Sequence, residues 1–340
     1  MRRIFSIMCV CASLVLGVCS CSNDDDSKET DKRVALILPS DKTVDRWGKD
    51  AAYLSDALKL YGYEVKLYTA DETVEGASLQ VKQLEEAINA GITHFVITPI
   101  DYNTINNSKL LQNNQNCDFI CYDRMIMDNS AVDFYTTCDP NKVGSMQALF
   151  LLQYVHASAA GSMEIEYFAG PETDKNAALY FNSAYSLLSA EESLKVPSGK
   201  KTYKEVALPS WSAEDAKVQM QNRIREFGIP DLILAPNDNV AEGIINALEE
   251  ANCTEFPIIT GQDLTSEAKQ NIIDGKQAMT IYKEYEDLAK NTAMVVNNFI
   301  LGKSPVITGK TFNNGAKEVP TMYSSITLVT KDNIDNFDVK

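Results

Sequence analysis

Apolar and polar positions alternate along this chain with two periods, and the switches between them mark out the elements. "RVALILP" (33–39) is a continuous apolar run, as in a strand buried on both faces, and 46–61 follows with helical spacing through Ala52, Leu54, Leu58 and Tyr61. "YEVKLYT" (63–69) reads as a strand, and 79–90 as a helix stopped by Gly91. "THFVITPI" (93–100) and "DFICYD" (118–123) are further strands with a helix-sized stretch between them. The pattern continues after Asp139-Pro140: helix 141–157, strand 163–169, helix 176–190, strand 203–208, helix 213–227, strand 231–236, helix 239–251, strand 256–260. Apolar strands separated by helices predict α/β architecture with parallel sheets flanked by helices.

The two halves echo one another. "VITPIDYN" (96–103) is matched by "LILAPNDN" (232–239), and "FICYDRM" and "FPIITGQDL" both end an apolar strand on aspartate. Two lobes of like topology are the simplest account. Ligands of open parallel sheets bind beyond the carboxyl ends of the strands. That singles out Asp101, Asp123, Arg124, Asn237, Asp238 and Asp263.

Composition bounds the function. The chain has 340 residues, 45% apolar and 23% charged, as in soluble globular proteins, and a length that suggests two domains. A net charge of −16 argues against a nucleic-acid partner. With only His94 and His156, a histidine triad or multi-histidine metal site is not expected, and no metal or cofactor is called for. No GxGxxG follows the first strand. "TGKT" (308–311) mimics a phosphate loop but has Ser304 where that loop requires glycine. GxSxG, HExxH and EF-hand patterns are absent as well. Paired carboxylates could in principle hydrolyse glycosides, but the strand-end acids have amides or bases beside them, which suits holding hydroxyls.

The N-terminus reads as a processing signal. Arg2 and Arg3 precede an apolar stretch, Ile4–Val18, too short to span a membrane as a helix. Val18-Cys19-Ser20-Cys21 resembles an imperfect lipobox, giving a lipoprotein signal peptide over 1–20 and Cys21 as the lipid-bearing residue; ordinary secretory cleavage nearby is the alternative. Residues 21–32 read as a flexible tether. Their acidic run is similar to an outer-surface sorting signal, and equally to a plain solvated spacer. Cys117, Cys121, Cys138 and Cys253 form no CxxC pair and read as buried free thiols.

The only tryptophans, Trp47 in "DRWGKD" and Trp211 in "PSWSAED", have polar neighbours. Beside planar polar groups, such rings can wall a sugar site. Together with Arg46-Trp47-Gly48-Lys49-Asp50, Tyr122–Ile126, Asp133-Phe134-Tyr135, Asp174–Ala177, Asn237-Asp238, Gly261-Gln262-Asp263 and Met279–Lys283, these residues resemble the type I solute-binding proteins of ABC sugar importers, the xylose-binding and multiple-monosaccharide-binding group. The resemblance runs from about 33 to 330 in the family's order. It implies two Rossmann-like lobes joined by a three-segment hinge, with 33–138 and about 264–311 in the N-terminal lobe and 139–263 and about 312–340 in the C-terminal lobe. It implies that Arg46, Asp123, Arg124, Asn176, Asn237, Asp263 and Lys283 bind sugar hydroxyls and that Trp47 and Trp211 form the apolar walls. One departure stands out: Lys175 occupies a position where the family has asparagine, and facing the cleft it would alter one polar contact. The resemblance further implies a monomeric, non-enzymatic receptor in the cell envelope, delivering a pentose or aldohexose to an ABC permease, or presenting its closed form to a sensor. An export signal where a repressor would carry its DNA-binding helices excludes a repressor.

Overall fold

The computed structural model describes residues 32–42, 44, 46–304 and 309–338. The expected signal peptide, Cys21 and all but the last residue of the tether lie outside the described residues.

The chain opens with β1 (Arg33–Pro39), α1 (Arg46–Leu60), β2 (Glu64–Ala70), α2 (Val74–Asn89), β3 (His94–Ile97), α3 (Tyr102–Ser108), α4 (Leu110–Asn113), β4 (Asp118–Tyr122) and β5 (Phe134–Cys138). β1, β3, β4 and β5 are buried almost throughout, β1 as its apolar run requires and β5 with Thr136 and Thr137 buried as well. β2 is an edge strand with mostly open side chains, so its Lys66 and Glu64 reach water. Asp101 caps α3, its carboxylate accepting from the backbone N–H of Asn103 and Thr104.

A second series follows: α5 (Pro140–Ala157), β6 (Met163–Tyr167), α6 (Lys175–Leu188), β7 (Leu194–Lys195), α7 (Tyr203–Val206), α8 (Ala213–Phe227), β8 (Leu232–Leu234), α9 (Asp238–Glu250), β9 (Ile258–Ile259), α10 (Ser266–Asp274) and β10 (Met279–Lys283). The chain ends with α11 (Tyr285–Ile300), β11 (Thr311–Asn313), β12 (Glu318–Ser324) and β13 (Ile326–Thr330). The strand expected over 203–208 is instead the short helix α7. Its N-terminus is fixed by Glu205, whose Oε2 accepts from the N–H of Thr202 at 2.9 Å and of Lys201 at 3.0 Å. Only Ala207 keeps a β-bridge, to Ala169.

The strands form a seven-stranded sheet, β11-β12-β5-β4-β3-β1-β2, and a four-stranded sheet, β7-β6-β8-β9. Both are parallel except for the β11–β12 pair. The antiparallel pair β10–β13 extends beside β9, Ala278 N donating to Ile259 O at 3.0 Å. These pairings correct the expected crossing points. Residues 264–283 go with the second sheet, because β10 lies along β9, while 312–324 go with the first, because β12 pairs with β5. The chain therefore crosses between the sheets after Cys138, near Glu284 and near Ser325. The last two crossings touch, Glu284 N donating to Ser325 O at 3.3 Å.

Candidate functional site

The carboxyl ends of both sheets face one another, and the polar residues singled out at strand ends collect there. β1 leads into α1, which supplies Arg46 and Trp47; β4 ends on Asp123 and Arg124. From the other side come Asn176 on α6, Trp211 before α8, Asn237 after β8, Asp263 after β9 and Lys283 closing β10. All nine are buried. Eight of them line one narrow cavity with about 20 Å³ of free space, room for about one water.

Three cations and five carboxylates are packed around it. Arg46 Nη2 lies 2.9 Å from Asp50 and 3.0 Å from Asp123, and Nη1 reaches across to Asp263 at 3.5 Å. Its guanidinium is also sandwiched between the rings of Trp47 and Tyr285, at 4.3 and 4.4 Å from their centroids. Arg124 pairs with Glu72 at 2.6 Å and, across the cleft, with Asp174 at 2.8 Å. Lys283 pairs with Asp263 at 3.1 Å and lies 5.7 Å from the Tyr180 ring centroid. Burial alone would push Asp123 up, but Arg46, Lys283 and Arg124 outweigh it and hold the carboxyl at about 2. Asp263 is likewise lowered, burial being overcome by Lys283 and Arg46. At Asp50 burial wins, and its carboxyl rises to about 6.

Asn176 is the ninth. It does not line the cavity but ties its two sides together, Nδ2 donating to Asp123 O at 2.8 Å. Asn237 lines the cavity and caps α9, its Oδ1 accepting from Val240 N. Both strand-end aspartates have left-handed backbones, φ 61° at Asp123 and 101° at Asp263. Such residues concentrate where surrounding contacts hold a side chain against its local preference.

The remaining sequence candidates fall elsewhere. Asp238 is buried beneath the site, accepting from Gln277, from Thr280 and from the N–H of Thr265. It reaches them because residue 261 is glycine; a Cβ there would collide with Asp238 Oδ1. Asp101 lines a neighbouring cavity. Lys175 is half-buried at the start of α6 and is not in the lining; its neighbour Asp174 is. Sequence reasoning missed Asp50, Glu72, Asp174, Tyr180 and Tyr285 as parts of the site. Asp50 and Tyr180 carried a signal, each one helical turn beyond a candidate, Arg46 and Asn176; Glu72 lies in a loop with none.

Hydrogen-bonding capacity remains. Among the described residues, the buried Trp47 Nε1, Trp211 Nε1 and Gln262 Oε1 have no protein partner. A cavity walled by two indoles, with acceptors outnumbering cations, suits a neutral, hydroxyl-rich ligand better than an anion.

Two α/β units facing across a buried polar cavity, with three chain crossings, define a cleft-type binding protein. The match to the periplasmic binding protein domain covers residues 34–304, and the chain belongs to that family. ChvE, a multiple sugar-binding periplasmic receptor of Rhizobium radiobacter, is 31% identical, covering 89% of this chain and 88% of its own. The D-xylose-binding periplasmic protein of Escherichia coli is 30% identical, covering 88% of this chain and 87% of its own. An ABC-transporter solute-binding protein from Clostridium phytofermentans, solved with β-D-glucose, is 30% identical with a TM-score of 0.83, covering 89% of this chain and 95% of its own. The fold is that of the type I periplasmic binding proteins.

Proposed function

We propose that this chain captures a neutral monosaccharide, xylose or a similar pentose or aldohexose, between its two sheets and delivers it to an ABC importer. The observation that carries this reading is the buried ring of Arg46, Asp123, Asp263 and Lys283 between Trp47 and Trp211. Carboxylates accept from sugar hydroxyls, guanidinium and ammonium groups donate to hydroxyl and ring oxygens, and the indoles cover the C–H faces. The sugars named for the relatives support the same ligand class.

Capture in the micromolar range needs about −8 kcal/mol, and hydrogen bonds to charged groups contribute roughly 1.5–3 kcal/mol each. A few such contacts suffice after ordering costs. The ion pairs must partly yield to the sugar, and the 3.5 Å Arg46–Asp263 contact across the cleft is the loosest of them. A cavity this small admits a ring only when its two sides part, so binding couples to closure about the three crossings. Anchoring through a lipid on Cys21 would keep the receptor beside its permease; the mass of the mature N-terminal peptide tests that point. Calorimetric titration with common pyranoses tests the function. Micromolar binding of one or more is expected, and a flat response across the panel would overturn the reading.

A further inference from the structure

Beside the sugar cavity lies a second one of about 210 Å³. Its floor is the start of α2 and the turn before α3; its opposite wall is Pro171, Thr173 and the segment leading to Trp211. Two residues, Arg124 and Trp211, line both cavities, so one ligand can straddle the wall they form. The lining mixes apolar surface, from Val74, Ile100, Pro171 and the indole, with a few polar groups. One of those is unusual. Glu72 has a side chain only 7% exposed, and its Oε1 pairs with Arg124. Its Oε2 is buried with no hydrogen-bond partner among the described residues. A buried carboxylate oxygen left without a donor is costly, and the sugar cavity's own contacts do not use it.

We propose that the second cavity is a ligand subsite, receiving the second ring of a disaccharide or the substituent of a glycoside whose first ring lies in the sugar cavity, with Glu72 Oε2 accepting one of its hydroxyls. The subsite rests on the monosaccharide reading of the neighbouring cavity. Both sides of the cleft contribute to it, Glu72 and Val74 from one and Pro171 and Thr173 from the other, so an occupant would also stabilise closure. The receptor would then select short glycosides as well as free sugars.

The test is calorimetry of the full chain with xylose and glucose, their methyl and phenyl glycosides of both anomers, and xylobiose, cellobiose and maltose. At least one glycoside or disaccharide is expected to bind within about tenfold of its parent sugar. Val74→Trp fills the mouth of the cavity from a side chain that is 80% exposed, so it leaves the core intact. It should weaken that larger ligand more than about tenfold and change the parent sugar less than about twofold. Thr173→Tyr fills the cavity from the opposite wall and should do the same, with melting temperatures confirming both folds. Parent-sugar binding with every larger ligand rejected by about a hundredfold or more overturns the subsite and leaves the monosaccharide reading standing. Equal losses for parent and larger ligand in both variants also overturn it. Binding of none of these sugars overturns both readings.

Discussion

Asp123 and Arg124 are adjacent in sequence and do not pair with each other. The Asp123 carboxylate faces Arg46 Nη2 at 3.0 Å, whereas the Arg124 guanidinium turns to Glu72 at 2.6 Å and Asp174 at 2.8 Å. The left-handed backbone at Asp123 causes the divergence, breaking the strand alternation just where β4 ends. Its carbonyl is then held by Tyr135 OH at 2.7 Å, Asn176 Nδ2 at 2.8 Å and Thr137 Oγ1 at 3.0 Å. An acid and a base that would neutralise one another in an exposed loop are thus aimed at different parts of one cleft.

Removing either should therefore harm ligand binding through different routes. Asp123→Ala takes away an acceptor and leaves Arg46 short of a partner; Arg124→Ala leaves Glu72 and Asp174 buried without their cation. Each is expected to weaken sugar binding by about 2 kcal/mol or more and to lower stability by about 3–5 kcal/mol where the buried partner stays charged. Calorimetry and denaturant unfolding read the two effects separately. Wild-type affinity in both variants would exclude the pair from the site.

The backbone at residue 123 can be separated from its carboxylate. Asp123→Gly and Asp123→Ala both lose the charge, but only alanine must carry a Cβ at φ 61°. The glycine variant is expected to be more stable than the alanine variant by about 1 kcal/mol. Equal unfolding midpoints would mean that the turn relaxes to an ordinary conformation once the side chain is gone.

How far the site was legible depended on where each residue falls. Asp123, Asn237 and Asp263 could be found because apolar strands end on them, and parallel sheets place ligands at such ends. The echo between "FICYDRM" and "FPIITGQDL" reappears as two aspartates with left-handed backbones. β1 and α8 keep the boundaries expected from periodicity, since unbroken apolar runs and clear caps leave little choice. Glu72 and Asp174 were missed because their roles come from pairing with Arg124 across loops, which no local spacing encodes. The crossing points near 284 and 325 were misplaced for a related reason. β10 and β12 both mix polar with apolar positions, and only their partners show which sheet each joins.

Trp211 owes its position to a missing side chain. Its six-membered ring lies against Gly170, where a Cβ would collide with Cη2, Cζ2 and Cζ3. The backbone around that glycine is held too, the Gly170 carbonyl accepting from Tyr203 OH at 3.2 Å. Gly170→Ala is expected to displace the indole, cost about 1–3 kcal/mol of stability and weaken sugar binding at least tenfold. Because Trp47 is the only other tryptophan, the emission spectrum of the protein follows the displacement directly. An unchanged spectrum with unchanged affinity would show that the ring packs elsewhere in solution.

Asp238 makes stability depend on pH in a predictable sense. Burial, reinforced by the nearby Asp263, raises its carboxyl from an ordinary 3.8 to about 8 in the folded chain. Between those values the folded state holds a proton that the unfolded state has lost, so stability falls as pH rises, by up to about 1.4 kcal/mol per unit. Asp50 acts in the same sense, but only up to about 6. Above that the slope belongs mainly to Asp238. Asp238→Asn loses part of the acceptor set that serves Gln277, Thr280 and Thr265 N, at a cost of about 1–3 kcal/mol at every pH. Its signature is the slope: between about pH 6 and 8 the variant should unfold at a nearly constant denaturant midpoint while the wild type declines. Parallel curves for the two proteins would mean that the donors around Asp238 keep it ionised throughout.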